Sequence, residues 1–135
     1  MIETVVVPGL PPSDNHAYAQ RRYGKGRAKT SVATSWAGLV NGAYKAQIEP
    51  RKRSRLRKAE TLEIRLRFYF ELRTKIGDMR RWDTSSHQKL TIDAITEAIG
   101  LDDRLVVRQE ISKHQRCVGS APQTQIEVRV LTFGQ

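Results

Sequence analysis

Apolar residues along the chain follow the patterns of four β-strands. Val5-Val6-Val7 is a short apolar run closed by the turn-forming pair Pro8-Gly9. Over residues 61–71, apolar and polar side chains alternate, which is typical of a strand that buries one face. Residues 105–112 and 124–131 are predicted to form two further strands, and the second of these shows the same alternation.

Apolar spacings of three and four residues predict two helices, over residues 32–47 and about 86–99, and Gly100 is placed to end the second. The basic segment 16–30 is predicted to be a mobile loop, and the block 51–58, with six cations in eight residues, a solvated loop. The resulting order β-α-β-α-β-β predicts an α+β fold with a small mixed four-stranded sheet and two helices. At 135 residues, the whole chain is expected to form one domain.

Cysteine usage and hydropathy narrow the class of protein. The single cysteine, Cys117, can form neither an internal disulfide nor a cysteine-based metal site, which favours a reducing, cytoplasmic compartment. No apolar run approaches the roughly 18 residues of a membrane span. The N-terminus lacks the basic region and long apolar stretch of a signal peptide. These features predict a cytoplasmic protein without a membrane partner. We also expect no organic cofactor.

The charge balance gives the first indication of function. Lysine and arginine total 24 against 14 acidic residues, a net charge of +10. Residues 1–60 hold 12 basic and 4 acidic residues, whereas residues 61–135 hold 12 and 10. An excess of this size favours a polyanionic partner, because each neutralised phosphate releases condensed counterions. A merely soluble basic protein is the alternative.

The acidic residues are concentrated around the second predicted helix. Six of the 14 lie between Asp78 and Asp103. Asp83 precedes the helix, while Asp102 and Asp103 follow it. Carboxylate oxygens are the ligands that Mg²⁺ and Mn²⁺ prefer, so these residues would hold such an ion if the sheet or two subunits brought the helix ends together. Lys89, within the helix, would then bind a phosphate.

The same spacing also has purely structural interpretations. Ser85 and Gln88 match a capping box, and Asp83 is favourable at a helix N-terminus without any catalytic role. Asp102-Asp103, directly before a strand, is also compatible with an ordinary turn. Spacing alone leaves these alternatives open.

Taken together, these segments resemble the RusA family of Holliday-junction resolvases, common in phages and prophages. The resemblance covers nearly the whole chain and is carried by an ordered set of motifs. These are Pro11-Pro12-Ser13-Asp14-Asn15, the stretch Arg80-Arg81-Trp82-Asp83-Thr84-Ser85-Ser86-His87-Gln88-Lys89, Asp93, Leu101-Asp102-Asp103 and Lys113.

The resemblance implies a structure-selective endonuclease that resolves four-way DNA junctions by paired, metal-dependent nicks. Asp83, Lys89 and Asp103 take the catalytic positions, and Asp83, Asp102 and Asp103 would bind Mg²⁺ or Mn²⁺. Asp93 takes a supporting position. A homodimer is implied as well, because a four-way junction is approximately two-fold symmetric and needs two cuts.

Three positions depart from the family pattern. Ser85 stands where a second motif aspartate is expected, Ser86 replaces an asparagine, and Trp82 replaces a basic residue. The hydroxyl of Ser85 would support the site in place of a carboxylate, with weaker metal affinity. A catalytically weakened or inactive junction-binding protein is therefore the alternative function.

The basic segments are predicted to cradle the DNA. An RNA-binding basic protein unrelated to resolvases is a further alternative, but it leaves the acidic cluster unexplained. The predicted DNA-binding residues are Asn15, Arg21, Arg22, Lys25, Arg27, Lys29, Arg51, Lys52, Arg53, Arg55, Arg57, Lys58, Arg80 and Arg81.

Overall fold

The computed structural model describes residues 1–13, 18–20, 27–84 and 87–132, with only the backbone for residues 18–20 and 27–29. The described residues contain six strands, three helices and one short 3₁₀ turn, Asp103–Leu105. In chain order they are β1 (Ile2–Pro8), β2 (Tyr18–Gln20), β3 (Arg27–Lys29), α1 (Ser31–Gln47), α2 (Pro50–Arg57), β4 (Thr61–Phe70), α3 (Lys89–Ile99), β5 (Val106–Gln115) and β6 (Gln123–Leu131). None of the described helices is both long enough and apolar enough to cross a membrane.

Four of the strands form one mixed sheet in the order β1-β6-β4-β5. The β1–β6 and β6–β4 pairs are antiparallel, and the β4–β5 pair is parallel. Parallel neighbours need a crossover, and α3 lies within the segment that connects β4 to β5. The predicted α+β fold with a four-stranded mixed sheet is therefore confirmed.

One face of the sheet packs on the helices and forms the core. Leu62, Ile64, Leu66 and Phe68, which alternate along β4, are all fully buried, as their spacing predicted. A polar contact lies inside this core, where the indole Nε1 of Trp36 on α1 donates to the hydroxyl of Thr91 on α3 at 3.1 Å. A buried indole N–H needs such a partner, and this bond supplies it while linking the two helices across the core.

A side chain of α1 covers part of the exposed sheet edge. Gln47, the last residue of α1, accepts from the backbone N–H of Val6 and donates to its carbonyl oxygen, both at 2.7 Å. Val6 lies on β1, an edge strand, whose outward backbone groups would otherwise be open to another chain. The carboxamide thus takes the place of a neighbouring strand at this point.

The two loop predictions need correction. The basic block is not a loop, because Pro50–Arg57 forms α2. Proline is favourable in the first turn of a helix, arginine has high helix propensity, and the fully buried Leu56 anchors the helix to the core. In the segment 16–30, β2 pairs antiparallel with β3, so residues 18–20 and 27–29 are strands, and Thr30 is the N-cap of α1. Residues 16–17 and 21–26 lie outside the described residues.

Gly100 ends α3, as predicted, in a Schellman motif. Its φ is +93°, and its N–H donates to the carbonyl oxygens of Thr96 and Glu97 at 2.9 and 3.1 Å. The N–H of Leu101 also donates to Thr96, at 2.9 Å. The guanidinium Nε of Arg57, from α2, lies 3.5 Å from the carbonyl oxygen of Ile99, where a cation favours the helix dipole.

The other face of the sheet carries an ion-pair network around one buried carboxylate. Glu63 is only 1% exposed and accepts hydrogen bonds from Arg65 at 2.7 Å and Arg108 at 3.1 Å. Arg65 also lies within 3.6 Å of Glu110 and Glu127 on the two neighbouring strands. Burial by itself raises the pKa of Glu63, but the hydrogen bonds and charges of the two arginines outweigh it and hold that pKa below its ordinary value.

Substitution of Gly100 by alanine tests the turn that leads out of α3. The positive φ strains any residue with a side chain, so we expect Gly100→Ala to lower the free energy of unfolding by about 1–2 kcal/mol. The added Cβ atom itself would lie in ordinary contact with Arg57 Nε, at 3.5 Å. Gly42→Ala, inside α1 with open space around it, is the matched control and should raise stability by about 0.5–1 kcal/mol. Urea unfolding measures the change in stability for both variants. Equal changes would contradict a left-handed backbone at Gly100.

The Glu63 network predicts a pH dependence of stability. Because the pKa of Glu63 is lower in the folded chain, its contribution is complete above the ordinary carboxyl pKa of about 4.3 and is lost as the pH falls through the folded-state value. We expect Glu63→Gln to lower the free energy of unfolding by about 1 kcal/mol at pH 7, and by progressively less toward pH 3. Glu110→Gln, which removes a partner with a 59% exposed side chain, should change it by less than about 0.5 kcal/mol. A deficit that stays constant from pH 7 to 3 would contradict this interpretation.

Candidate functional site

The segment after β4 returns to that strand through a short hairpin. The N–H of Thr74 donates to Asp78 and the N–H of Arg80 donates to Leu72, each at 2.7 Å. These bonds bring Trp82 against the end of β4. Its indole meets the ring of Phe68 edge-on at 4.9 Å and that of Phe70 at 5.0 Å, between ring centroids.

A tight turn then holds Asp83 at the surface. The imidazole of His87 stacks on the indole of Trp82, with centroids 3.9 Å apart, and its Nδ1 lies 2.6 Å from the carbonyl oxygen of Asp83. The N–H of His87 donates to Thr84 at 3.2 Å. Asp83 is exposed, on a backbone that is anchored through its neighbour to the sheet. Sequence analysis did not foresee this use of His87.

Lys89 is the first residue of α3 and is exposed. Gln88 is the N-cap rather than the third helical residue, so the capping box predicted for Ser85 and Gln88 does not describe this helix start. Ser85 and Ser86 lie outside the described residues. A cation at a helix N-terminus adds to the positive end of the helix dipole, an unfavourable arrangement for stability but a favourable one for binding an anion.

At the other end of α3, Asp102 and Asp103 form an exposed pair of carboxylates. Asp102 accepts from the N–H of Arg104 at 3.0 Å and so begins the 3₁₀ turn. That hydrogen bond, aided by the side chain of Asp103 and the charge of Arg104, holds the pKa of Asp102 below its ordinary value, against the effect of burial. The turn interpretation is therefore correct for the backbone, and the turn also presents two hard oxygen ligands side by side.

The two halves of the predicted site lie at opposite ends of the sheet. Trp82, next to Asp83, packs on Phe70 at the C-terminal end of β4, whereas Asp103 closely precedes Val106, whose partner in the register is Leu62 near the N-terminal end of β4. Leu62 and Phe70 are eight residues apart along β4, which corresponds to a distance of about 25 Å between the two ends of the strand. Accordingly, no three Asp, Glu, His or Cys side chains of the described residues are close enough to hold a metal ion. The sheet of one chain does not bring the three aspartates together.

Asp93, the predicted supporting residue, lies one turn after Lys89 on α3. It is half-buried, and its carbonyl oxygen accepts from the hydroxyl of Thr96 at 3.1 Å. The four-residue spacing places Asp93 and Lys89 on one face of the helix, as the sequence predicted. It thus lies nearer to the Asp83 end of the site than to Asp102 and Asp103.

The predicted DNA-binding residues fall into three groups. Asn15, Arg21, Arg22 and Lys25 lie outside the described residues, and Arg27 and Lys29 lie on β3, where only the backbone is described. In and just after α2, Arg51, Lys52, Arg55, Arg57 and Lys58 are exposed. Arg53 differs, because it is half-buried and its Nε is buried without a hydrogen-bond partner among the described residues. Arg80 and Arg81, the last group, are exposed.

Arg80 and Arg81 line a cavity of about 570 Å³ at the C-terminal end of β4. Its apolar lining includes Leu10, Phe70 and Trp82. Arg116 also lines it, and the N–H of Arg116 donates to the carbonyl oxygen of Phe70 at 2.9 Å. Sequence analysis missed Arg116, because only the parallel pairing of β4 with β5 brings the ends of these two strands together.

Comparisons with known proteins identify the family. Residues 8–129 match the family described as "Endodeoxyribonuclease RusA". No curated protein matches the chain. The chain is 12% identical to 2C-methyl-D-erythritol 2,4-cyclodiphosphate synthase from Plasmodium vivax, covering 94% of this chain and 93% of that one, with a TM-score of 0.31. A form of this synthase described as bound to CDP is 11% identical, with coverages of 95% and 97% and a TM-score of 0.33.

The bifunctional IspDF from Campylobacter jejuni is 8% identical over 100% of this chain and 44% of that one, with a TM-score of 0.26. With TM-scores this low, these three structures indicate neither the fold nor the function of this chain. The family match, in contrast, spans nearly the whole sequence and includes both ends of the candidate site. The chain belongs to the RusA family of endodeoxyribonucleases.

Proposed function

We propose that this protein resolves four-way DNA junctions by paired nicks that depend on Mg²⁺ or Mn²⁺. The observation that carries the proposal is the family match over residues 8–129, which includes Asp83, Lys89 and Asp103. The charge of +10 favours a nucleic-acid substrate, and exposed carboxylates within so basic a chain are what a metal-dependent nuclease needs. A phage or prophage origin and a cytoplasmic location stay predictions.

The chemistry of the candidate ligands suits a hard divalent cation. Asp102 and Asp103 offer adjacent, exposed carboxylates at the 3₁₀ turn. Mg²⁺ is commonly held by one or two carboxylates together with water and substrate phosphate. In this proposal Asp83 adds a third carboxylate. When bound, the ion would activate water and offset charge on the scissile phosphate.

The protein's own residues bind and orient that phosphate. Lys89 places its ammonium group at the positive end of α3, and the two together attract the phosphate. Asp93, one helical turn later, positions Lys89 on the shared face. The stack of His87 on Trp82 and the contact of His87 Nδ1 with the carbonyl oxygen of Asp83 hold the backbone of Asp83 in place before the substrate arrives.

A homodimer would complete each site. In one chain, Asp83 and Lys89 lie at one end of α3 and Asp102 and Asp103 at the other, and an 11-residue helix is about 16 Å long. Carboxylates that share an ion must lie far closer, so we propose that Asp83 and Lys89 of one subunit meet Asp102 and Asp103 of the other. A two-fold dimer then has two such sites, which suits paired cuts in a junction of approximate two-fold symmetry.

Mixing of inactive variants tests this shared site. We expect the protein to nick a synthetic four-way junction symmetrically with Mn²⁺, and Asp83→Asn or Asp103→Asn each to lower the rate at least about 100-fold, since each removes a charged ligand. When the two variants are co-expressed, heterodimers carry one site with all its carboxylates. Their single nicks should recover a substantial part of the wild-type rate, measured on an end-labelled junction.

Asp78→Asn is the matched control, because Asp78 is an exposed acid of the same region and its backbone, not its side chain, makes the described hairpin bonds. It should cut like the wild type. Wild-type nicking by Asp103→Asn would contradict the mechanism. A co-expressed pair that stays as inactive as its parents, although dimeric, would contradict only the sharing of sites between subunits.

Ser85 favours a second candidate, a junction-binding protein with weakened or absent cleavage. The family pattern expects an aspartate at position 85, and a hydroxyl is a weaker ligand than a carboxylate. We expect Ser85→Asp to raise the cleavage rate about tenfold at limiting Mg²⁺, because it adds a charged ligand. Ser85→Asn is the control, because asparagine has the size of aspartate but no charge. If Ser85→Asp cuts and neither the wild type nor Ser85→Asn does, the protein is a junction binder that has lost cleavage. Equal cleavage rates for the wild type and both variants would contradict a metal role for position 85.

A further inference from the structure

The cavity of about 570 Å³ at the end of β4 has the chemistry of a nucleotide site. Its lining joins the rings of Phe70 and Trp82 to the guanidinium groups of Arg80, Arg81 and Arg116. Its volume lies in the range of ordinary ligand sites, roughly 300–1,000 Å³. Phe70 is only 5% exposed, so the half-buried Trp82 is the ring that offers surface to a base. Aromatic rings bind bases by stacking and guanidinium groups bind phosphate oxygens, so a nucleotide suits both parts of the lining.

The aromatic part of the cavity is held in place before any ligand binds. Trp82 contacts Phe68, Phe70 and His87 through its ring, so its orientation is set by packing. A side chain that is already ordered loses little conformational entropy when a base stacks on it. Leu10, from the segment after β1, adds to the apolar lining.

The cationic part has a net positive charge. Glu71 also lines the cavity, but its carboxylate lies 3.9 Å from Arg116 Nε, and Arg116 Nη1 donates to the carbonyl oxygen of Ser120 at 2.7 Å. Arg116 is thereby held at the rim with its charge partly balanced. Arg80 and Arg81 are exposed and supply the surplus of positive charge that a phosphate requires.

We propose that this cavity takes one unpaired nucleotide of the DNA, next to the phosphate that is cut. The inference rests on the proposed function, because Trp82 directly precedes Asp83 and so places the cavity beside the candidate catalytic residue. A base inside a duplex is already stacked on both sides and must leave the helix to reach Trp82. Extrusion is least unfavourable where stacking is interrupted, as at the crossover of a four-way junction. The cavity would therefore contribute to the choice of junctions over plain duplex.

Junctions that each lack a single base test the proposal. Each junction of a series carries one abasic site, and the site moves by one nucleotide from junction to junction around the position of the nick. Affinity is measured by fluorescence anisotropy in EDTA, so that no cleavage occurs. We expect wild-type affinity to fall about tenfold at one position within a few nucleotides of the nick, the effect of losing one stacked base, and to change little elsewhere. Trp82→Ala should bind the intact junction about tenfold more weakly and lose this position dependence.

Trp82→Leu is the second variant, because it keeps apolar volume against Phe68 while it removes the ring. Its unfolding transition and circular dichroism are measured to check that it folds. Arg55→Gln is the matched control. Arg55 is exposed on α2, so its loss should weaken binding equally for every junction and leave the abasic profile unchanged.

A position-specific loss in the wild type that disappears in Trp82→Leu supports the nucleotide site. A flat profile in a wild-type protein that binds and cuts junctions overturns the site and leaves the proposed function intact. A loss that persists unchanged in folded Trp82→Leu also overturns it. If the wild type binds no junction at all, the proposed function and this inference both fail.

Discussion

The contact of Trp82 with the aromatic end of β4 is the interaction on which the site depends. The described residues 71–84 have little regular structure, and the hairpin hydrogen bonds together with this packed ring hold them against the sheet. Phe68 and Phe70 hold one side of the contact, and the stack with His87 extends it to the turn that carries Asp83. The same ring lines the cavity, so the placement of Asp83 and the shape of the proposed nucleotide site are linked.

The second constraint is the crossover between two parallel strands. A strand, a helix and a parallel strand must place the start and the end of the helix at opposite ends of the sheet. Lys89 and Gly100 therefore mark two separate places on one chain, and each has its own functional residues. Gly100, through its left-handed backbone, turns the chain toward Asp102 and Asp103, and Arg57 from α2 contacts the same helix end. This geometry is the reason why a second subunit enters the proposed mechanism.

The charged groups of the molecule serve different purposes on its different surfaces. On the sheet face away from the helices, acids and bases alternate across strands and neutralise one another around the buried Glu63. On α2, Lys52 pairs with Glu3 at 3.7 Å, whereas most of the other cations of this helix are exposed. Charges that are paired within the fold contribute to stability, whereas charges that remain exposed are available to a polyanion. The positive charge of the chain is therefore not spread evenly: it is largely neutralised on the sheet face around Glu63 and remains exposed on α2.

Local patterns in the sequence determined much of this protein. The alternation along β4, the spacing of apolar residues in α1 and α3, and the glycine that ends α3 predicted two of the helices and the four strands of the mixed sheet, because these features depend on residues close together along the chain. The strands β2 and β3 were not predicted. The ordered motifs around Asp83, Lys89 and Asp103 indicated the family for the same reason. Local repulsion between cations wrongly predicted a loop for α2, since the burial of Leu56 outweighs it.

Only the tertiary structure decided which of these residues meet. Whether Asp83 shares a site with Asp103 depends on strand order and on the direction of β5, which no local pattern specifies. The same holds for Arg116, which reaches the cavity because β5 runs parallel to β4, and for His87, whose stack on Trp82 needs the hairpin to return to the sheet. Distances between residues far apart in sequence are set by the packing of whole elements, and for that reason they appear only in the folded chain.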